Sequence, residues 1–250
     1  MSDNYKESFE KTKKAGEIAA GALDEVAKII KPGIQTDKID KLCYEYINDN
    51  GAYSAPLFYR GFPKSCCTST NHIVCHGIPS DKILKDGDIV NVDVTALKDG
   101  WHGDTSRTYE IGEVSVKAKK LVTTTFDAMM KAIKIIKEDV FLGDIGATIQ
   151  NHVEAEGFSV VQDFCGHGIG RHFHQEPNVL HYGKKGTGER IKAGMIFTIE
   201  PMINFGKYET KTLNDGWTAV TKDKSLSAQF EHTIGVTKDG YEIFTLSKQQ

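Results

Sequence analysis

The sequence predicts an α+β fold built as two α/β halves related by a pseudo-twofold repeat. Three observations carry that prediction. The stretch Asn91-Val92-Asp93-Val94-Thr95-Ala96-Leu97-Lys98-Asp99-Gly100-Trp101-His102-Gly103-Asp104-Thr105-Ser106 reads as a β-hairpin, with β-branched and apolar residues on both arms and Asp99-Gly100 as a two-residue turn. Helical periodicity precedes this hairpin and returns after it. A histidine-bearing loop and a glycine-led strand ending in an acid each occur twice, in the same order.

Taken in order, Ile18, Ala19, Ala22, Leu23, Val26, Ile29 and Ile30 recur at three- and four-residue steps and predict a helix over 5–30, ended by Lys31-Pro32-Gly33. A second helix, with Thr36 as N-cap and Ile39, Leu42, Cys43, Tyr46 and Ile47 along it, stops at Gly51. An irregular aromatic and Gly/Pro-rich stretch, 52–64, leads to a strand-like run over 67–75 and a loop at His76-Gly77-Ile78-Pro79. Lys85-Asp86-Gly87 turns the chain into the hairpin. With Lys98 opposite Trp101, Asp93 falls opposite Ser106, and Asp104 lies two residues from that partner on the same face. A boundary in the pattern falls near Gly112. Beyond it a long helix runs over 115–137, Gly143-Asp144 breaks it, and a shorter helix with Ile145, Ile149 and Val153 closes at Gly157. Strand-like and loop segments fill the rest. No linker interrupts the chain, so one domain is expected over 1–250, with halves of roughly 5–112 and 113–246.

The composition, 39% hydrophobic and 26% charged, is that of an ordinary globular protein. A net charge of −3 with no basic block argues against nucleic-acid or membrane-surface partners. No apolar run reaches the roughly 18 residues that a membrane span needs. The five cysteines form no C-x-x-C pair, and their odd number without an apolar leader points to the reducing cytoplasm.

The internal echo points to chemistry. Cys75-His76-Gly77-Ile78 corresponds to Gly166-His167-Gly168-Ile169, and an acid follows six residues after each strand-opening glycine: Asp93 after Gly87, Glu200 after Gly194. A second acid follows on a later strand, Asp104 in the first half and Glu231 in the second. Two such halves packed face to face place four carboxylates and two histidines at a shared centre. Buried carboxylates repel one another unless cations lie between them. Two divalent ions balance four negative charges, and the oxygen-rich set with imidazole suits Mn²⁺, Fe²⁺, Co²⁺ or Zn²⁺. A dinuclear site of that kind is suited to hydrolysis.

These motifs, together with Asn91-Val92-Asp93-Val94, His102-Gly103-Asp104-Thr105-Ser106, Phe197-Thr198-Ile199-Glu200-Pro201 and Glu231-His232-Thr233, strongly resemble the type I methionine aminopeptidases over about residues 5–246. The resemblance implies the pita-bread fold, with the two halves around a central antiparallel sheet that carries a dinuclear metal site, and a cytoplasmic metallopeptidase that removes the initiator methionine from new proteins. With no zinc-finger extension and no type II insertion, the chain is expected to be of the bacterial type. Carried over by motif, Asp93 chelates one ion, Asp104 and Glu231 bridge both, and His167 and Glu200 complete the other. Glu200 also serves as general base, and His76 and His174 contact substrate. The methionine pocket draws on Tyr59, Phe62, Cys67, Phe173 and Trp217. Phe62 stands where tyrosine is common and Pro56 where cysteine is common, so fine specificity is the open point. Implied partners are N-termini of nascent polypeptides, with transient ribosome contact, for an enzyme acting as a monomer.

Plainer readings stand beside these. His152, His172, His181 and His232 read as ordinary surface or packed histidines, with a supporting place behind the ligands as the alternative for His232. Cys67, with no base marked beside it, reads as pocket lining, and Cys66 has no assigned role. Two rival functions remain: a proline-specific aminopeptidase or prolidase of the same fold, and a metal-free binding module.

Overall fold

In the computed structural model, which describes residues 5–247, Asp99 and Gly100 take φ of +51° and +78°. This is the left-handed pair that a two-residue hairpin turn requires. In chain order the elements are α1 (Lys6–Ile29), α2 (Thr36–Asp49), β1 (Tyr53–Ser54), a 3₁₀ turn (Tyr59–Gly61), β2 (Cys67–Thr70), β3 (Ile73–Cys75), β4 (Ile89–Lys98), β5 (Trp101–Glu110), α3 (Val116–Lys134) and α4 (Leu142–Ala155). There follow β6 (Ser159–Val160), β7 (Gly166–Gly168), β8 (Gln175–Val179), β9 (Ile196–Ile199), β10 (Met202–Asn204), β11 (Thr210–Thr212), β12 (Ala219–Thr221), β13 (Ser227–Gln229), β14 (Glu231–Val236) and β15 (Tyr241–Ile243).

The hairpin β4–β5 holds the predicted register along its length, from Lys98 opposite Trp101 to Ile89 opposite Glu110, with Asp93 opposite Ser106. It lies within an antiparallel sheet of order β1-β4-β5-β14-β9-β7-β8, with β2 also on β4 and β15 also on β14. The inner strands β5 and β14 pair through Ser106–Glu231 and Thr105–His232, so each contributes one acid beside the seam. Period-two alternation sorts β4: Val90, Val92, Val94 and Ala96 join the core formed with Ala19, Leu23, Val26, Ile39, Cys43 and Ile47 of α1 and α2. Asp93 and Thr95 therefore face the other way. In the second half Phe197, Ile199 and Ile234 pack with Leu121, Met129, Ile133, Ile145 and Ile149 of α3 and α4. Each helix pair thus backs one side of the sheet.

Several expectations are corrected. Thr36 is not the N-cap but the first helical residue of α2, and its hydroxyl exchanges hydrogen bonds with the Ser80 backbone. The run 67–75 is two strands separated at Asn71, which is left-handed (φ +56°). Gly143-Asp144 does not break a helix; it lies in the first turn of α4. Gly143 is pressed against the Lys184 and Thr187 carbonyl oxygens, where an added Cβ would come within 2.6 Å of each. The Asp144 carboxylate accepts from the Phe141 amide at 3.0 Å, acting at the helix start. The break comes earlier, after α3, where Asp139 is left-handed (φ +70°). Among the described residues, no helix is long and apolar enough to cross a membrane.

Candidate metal centre

The acids come from three strands, and from the residue just past a fourth, around the sheet's seam. Asp104 on β5 accepts from Thr95 Oγ1 at 2.7 Å, and its amide donates to Thr233 Oγ1 at 3.0 Å, tying it to strands on both sides. Glu231 on β14 is 2% exposed, and its Oε1 is buried with no hydrogen-bond partner. A buried carboxylate oxygen left unpaired is costly, which makes it a ready ligand. His167 on β7 is fixed by its amide, which donates to Thr198 Oγ1 at 3.0 Å, and by Nδ1, 3.0 Å from the Gly168 carbonyl. That leaves Nε2 pointing at carboxylates, 3.5 Å from Glu200 Oε1 and 3.6 Å from Asp104 Oδ2.

Glu200 sits one residue past β9. Its Oε1 accepts from Thr198 Oγ1 at 2.7 Å and its Oε2 from Gln229 Nε2 at 3.3 Å. Ligand atoms of Asp104, His167 and Glu231 all lie within 4.8 Å of one another. Donors each about 2.0–2.2 Å from a shared ion stand at most about 4.4 Å apart, so these three side chains lie close to the spacing that one ion requires. The donor set and the orphaned Glu231 oxygen both fit a divalent cation.

The electrostatics agree with that fit. Burial, then the charges of Asp104 and Glu200, pushes the Asp93 and Glu231 carboxyls well above the usual range. Burial raises Glu200 to about 7 against the opposing pull of His167. Burial works against a charge on His167, yet Asp104 and Glu200 together push it up to about 9. Acids crowded this closely resist ionising unless positive charge lies among them.

All twelve predicted site residues line one cavity of about 420 Å³. Around the ligand-type residues, Tyr59 packs on Phe173 (ring centroids 4.9 Å apart) and Phe62 on Trp217 (5.2 Å). Cys67 lines the wall, and burial pushes its thiol well up, away from the reactive thiolate form. His76 stands edge-on to Phe164, its centroid 5.5 Å away, and burial lowers its pKa. His174 Nδ1 is 3.0 Å from the Tyr59 hydroxyl, and burial with the nearby His167 lowers it to about 4.

The sequence matches metallopeptidase family M24 over residues 10–238. The chain belongs to that family. Among M24 relatives, the methionine aminopeptidase of Rickettsia prowazekii (strain Madrid E) is 56% identical over 243 residues, covering 97% of this chain and 94% of its own. The crystal structure of methionine aminopeptidase from Rickettsia prowazekii matches with a TM-score of 0.95 at 56% identity, covering 96% of this chain and 97% of its own. Prolidase from Pyrococcus furiosus, at 23% identity, TM-score 0.77 and 65% of its length, shares the fold alone. The pita-bread architecture of M24 enzymes, two α/β halves around a curled antiparallel sheet, is the one found here.

Residues that sequence reasoning missed also stand in this M24 site. Thr95, Gln229 and Met202 line the cavity. Thr198 and Gln229 lie two residues before Glu200 and Glu231, so strand alternation could have found them. His181, read as ordinary, is wholly buried, and its Nε2 accepts from the Glu200 amide at 3.1 Å; no local signal marks it. Burial drives it to about 3. His232 lies behind the site, with Nδ1 2.8 Å from Thr245 Oγ1, and His152 meets Lys131 on the surface. All five cysteines are free thiols.

Proposed function

We infer that this chain is a metal-dependent aminopeptidase that hydrolyses N-terminal methionine from nascent proteins and peptides, favouring a small second residue. The observation that carries the reading is the convergence of His167 and the buried acids, one with an orphaned oxygen, on a cavity walled by aromatic rings and a thiol. The high identity to methionine aminopeptidase over nearly the whole chain supports it. Asp93, Asp104, His167, Glu200 and Glu231 would hold two divalent ions, Co²⁺, Mn²⁺, Fe²⁺ or Zn²⁺. Such ions supply Lewis acidity for a carbonyl and for the acidity of water.

The chain's own residues do the rest. Glu200 takes the proton of the attacking water. If the Tyr59 hydroxyl donates to His174 Nδ1, the His174 proton resides on Nε2, which donates to the oxyanion as the carbonyl becomes tetrahedral. His76 hydrogen-bonds the scissile amide nitrogen. Tyr59, Phe62, Cys67, Phe173 and Trp217 receive the unbranched thioether side chain. The enzyme is read as a single cytoplasmic catalytic domain with halves near 5–112 and 113–246, acting as a monomer in transient contact with the ribosome.

Turnover of Met-Ala, Met-Leu and X-Pro peptides in metal-supplemented buffer tests the reading. Cleavage of Met-Ala with poor Met-Leu and X-Pro turnover is expected. Preference for X-Pro establishes the proline-specific rival, and equal kinetics on Met-Ala and Met-Leu removes the second-residue rule. A stoichiometric ion in the purified protein separates the enzyme from a metal-free binding module.

A further inference from the structure

His181 carries a structural message about Glu200. β9 ends at Ile199, and Pro201 has no amide hydrogen, so the Glu200 N–H is the last donor before the chain leaves the ladder. His181 Nε2 accepts that hydrogen at 3.1 Å, on a side chain with 0% exposure. Accepting at Nε2 puts the imidazole's own proton on Nδ1, which is buried and has no partner. An unpaired buried donor is unfavourable on its own, so the bond to Glu200 is what this histidine contributes. Its segment is braced from behind. The Leu180 and Tyr182 carbonyls press on Gly146 of α4, where a Cβ would come within 2.8 and 2.4 Å of their oxygens. The Gly183 amide donates to Gln150 Oε1 at 3.0 Å.

We propose that His181 is a positioning residue for Glu200, holding its amide so that the carboxylate keeps its bonds to Thr198 and Gln229 and its aim at His167. The proposal rests on the reading of Glu200 as ligand and general base.

The test compares His181→Gln, His181→Asn and His181→Leu in the full chain, alone and with Glu200→Gln. Gln places an amide oxygen as many bonds from Cα as Nε2; Asn places one only at the Nδ1 position, and Leu places none. Turnover is read as kcat and KM on a Met-Ala peptide at saturating Mn²⁺, Mn²⁺ affinity by calorimetry, and folding by thermal unfolding. The Asn and Leu variants should lose about 10- to 100-fold in kcat and in Mn²⁺ affinity with KM little changed. The Gln variant should recover most of both, and in the Glu200→Gln background His181→Asn should cost little further kcat. Equal losses in Gln and Asn, wild-type kcat in Asn, a full additional cost beside Glu200→Gln, or loss of fold in both amide variants overturns the proposal. Wild-type kcat in Glu200→Gln alone sinks the reading of Glu200 itself, whatever the His181 variants do.

Discussion

Cys75-His76-Gly77-Ile78 and Gly166-His167-Gly168-Ile169 are matched in sequence and diverge in structure. His167 lies inside β7, locked by Thr198 and the Gly168 carbonyl, with Nε2 turned onto two carboxylates. His76 lies just past β3 with φ of +56°, a left-handed residue outside strand alternation, and its ring stands against Phe164 and Trp217. One backbone dihedral turns equivalent imidazoles to different surroundings. A repeat that kept both histidines on carboxylates would crowd the centre; one displaced histidine leaves an open approach for substrate.

The strongest way to break this comparison is to remove the ions. Exhaustive chelation should abolish peptidase activity, and Co²⁺, Mn²⁺ or Fe²⁺ should restore it together with thermal stability. Turnover that survives verified ion removal ends the metal reading for both halves. His167→Ala should reproduce the chelated state, with ion stoichiometry reduced.

His76→Ala sharpens the contrast. Turnover should fall about 10²–10³-fold with substrate binding nearly unchanged and ion content intact, as for a group acting in the transition state. If ion content falls instead, His76 is a ligand and the two histidines are alike after all. His174→Ala should behave as His76→Ala does.

Glu200→Gln keeps shape and a ligand oxygen but removes the base, so kcat should fall by at least about 100-fold. Near-normal turnover with ions retained would place the base elsewhere.

The smallest effect is on stability against pH in the chelated protein. His167, raised from 6.5 to about 9, contributes stability that is full below 6.5 and is lost as pH rises through about 9. Glu200, raised from 4.5 to about 7, keeps a proton when folded that the unfolded chain has released, so it too costs stability as pH rises through that interval. His174, His181 and His232, lowered to about 4, 3 and 4, act in the opposite sense, but only below 6.5. Tm should therefore decline between pH 6.5 and 9, by about 2–4 °C per kcal/mol lost. A flat or rising Tm there means that Asp104 and Glu200 do not hold the imidazole charged.

The parts of the molecule legible in the sequence were those governed by local rules. The Asp99-Gly100 turn set the hairpin register, and that register put Asp93 and Asp104 on one face. The repeated glycine-led strands pointed to Glu200, and the motifs to residues that the fold brings onto one cavity. What stayed hidden depends on contacts made through space. Thr36 looks like a cap until Ser80 reaches its hydroxyl, and Gly143 looks like a break until two carbonyls pack where a side chain would stand. His181 reads as any packed histidine because its partner, the Glu200 amide, is fixed by the fold.

The recessed centre also sets a condition on timing. Asp104, His167 and Glu231 are buried, while Arg60 and Asp163 on the same cavity are exposed, so a substrate must thread inward from that side. A single extended strand, advancing about 3.3–3.6 Å per residue, can do so. A methionine already hydrogen-bonded into a helix or packed in a sheet cannot. Cleavage therefore competes with the folding of the substrate's own first residues, and chains whose N-termini order early escape it.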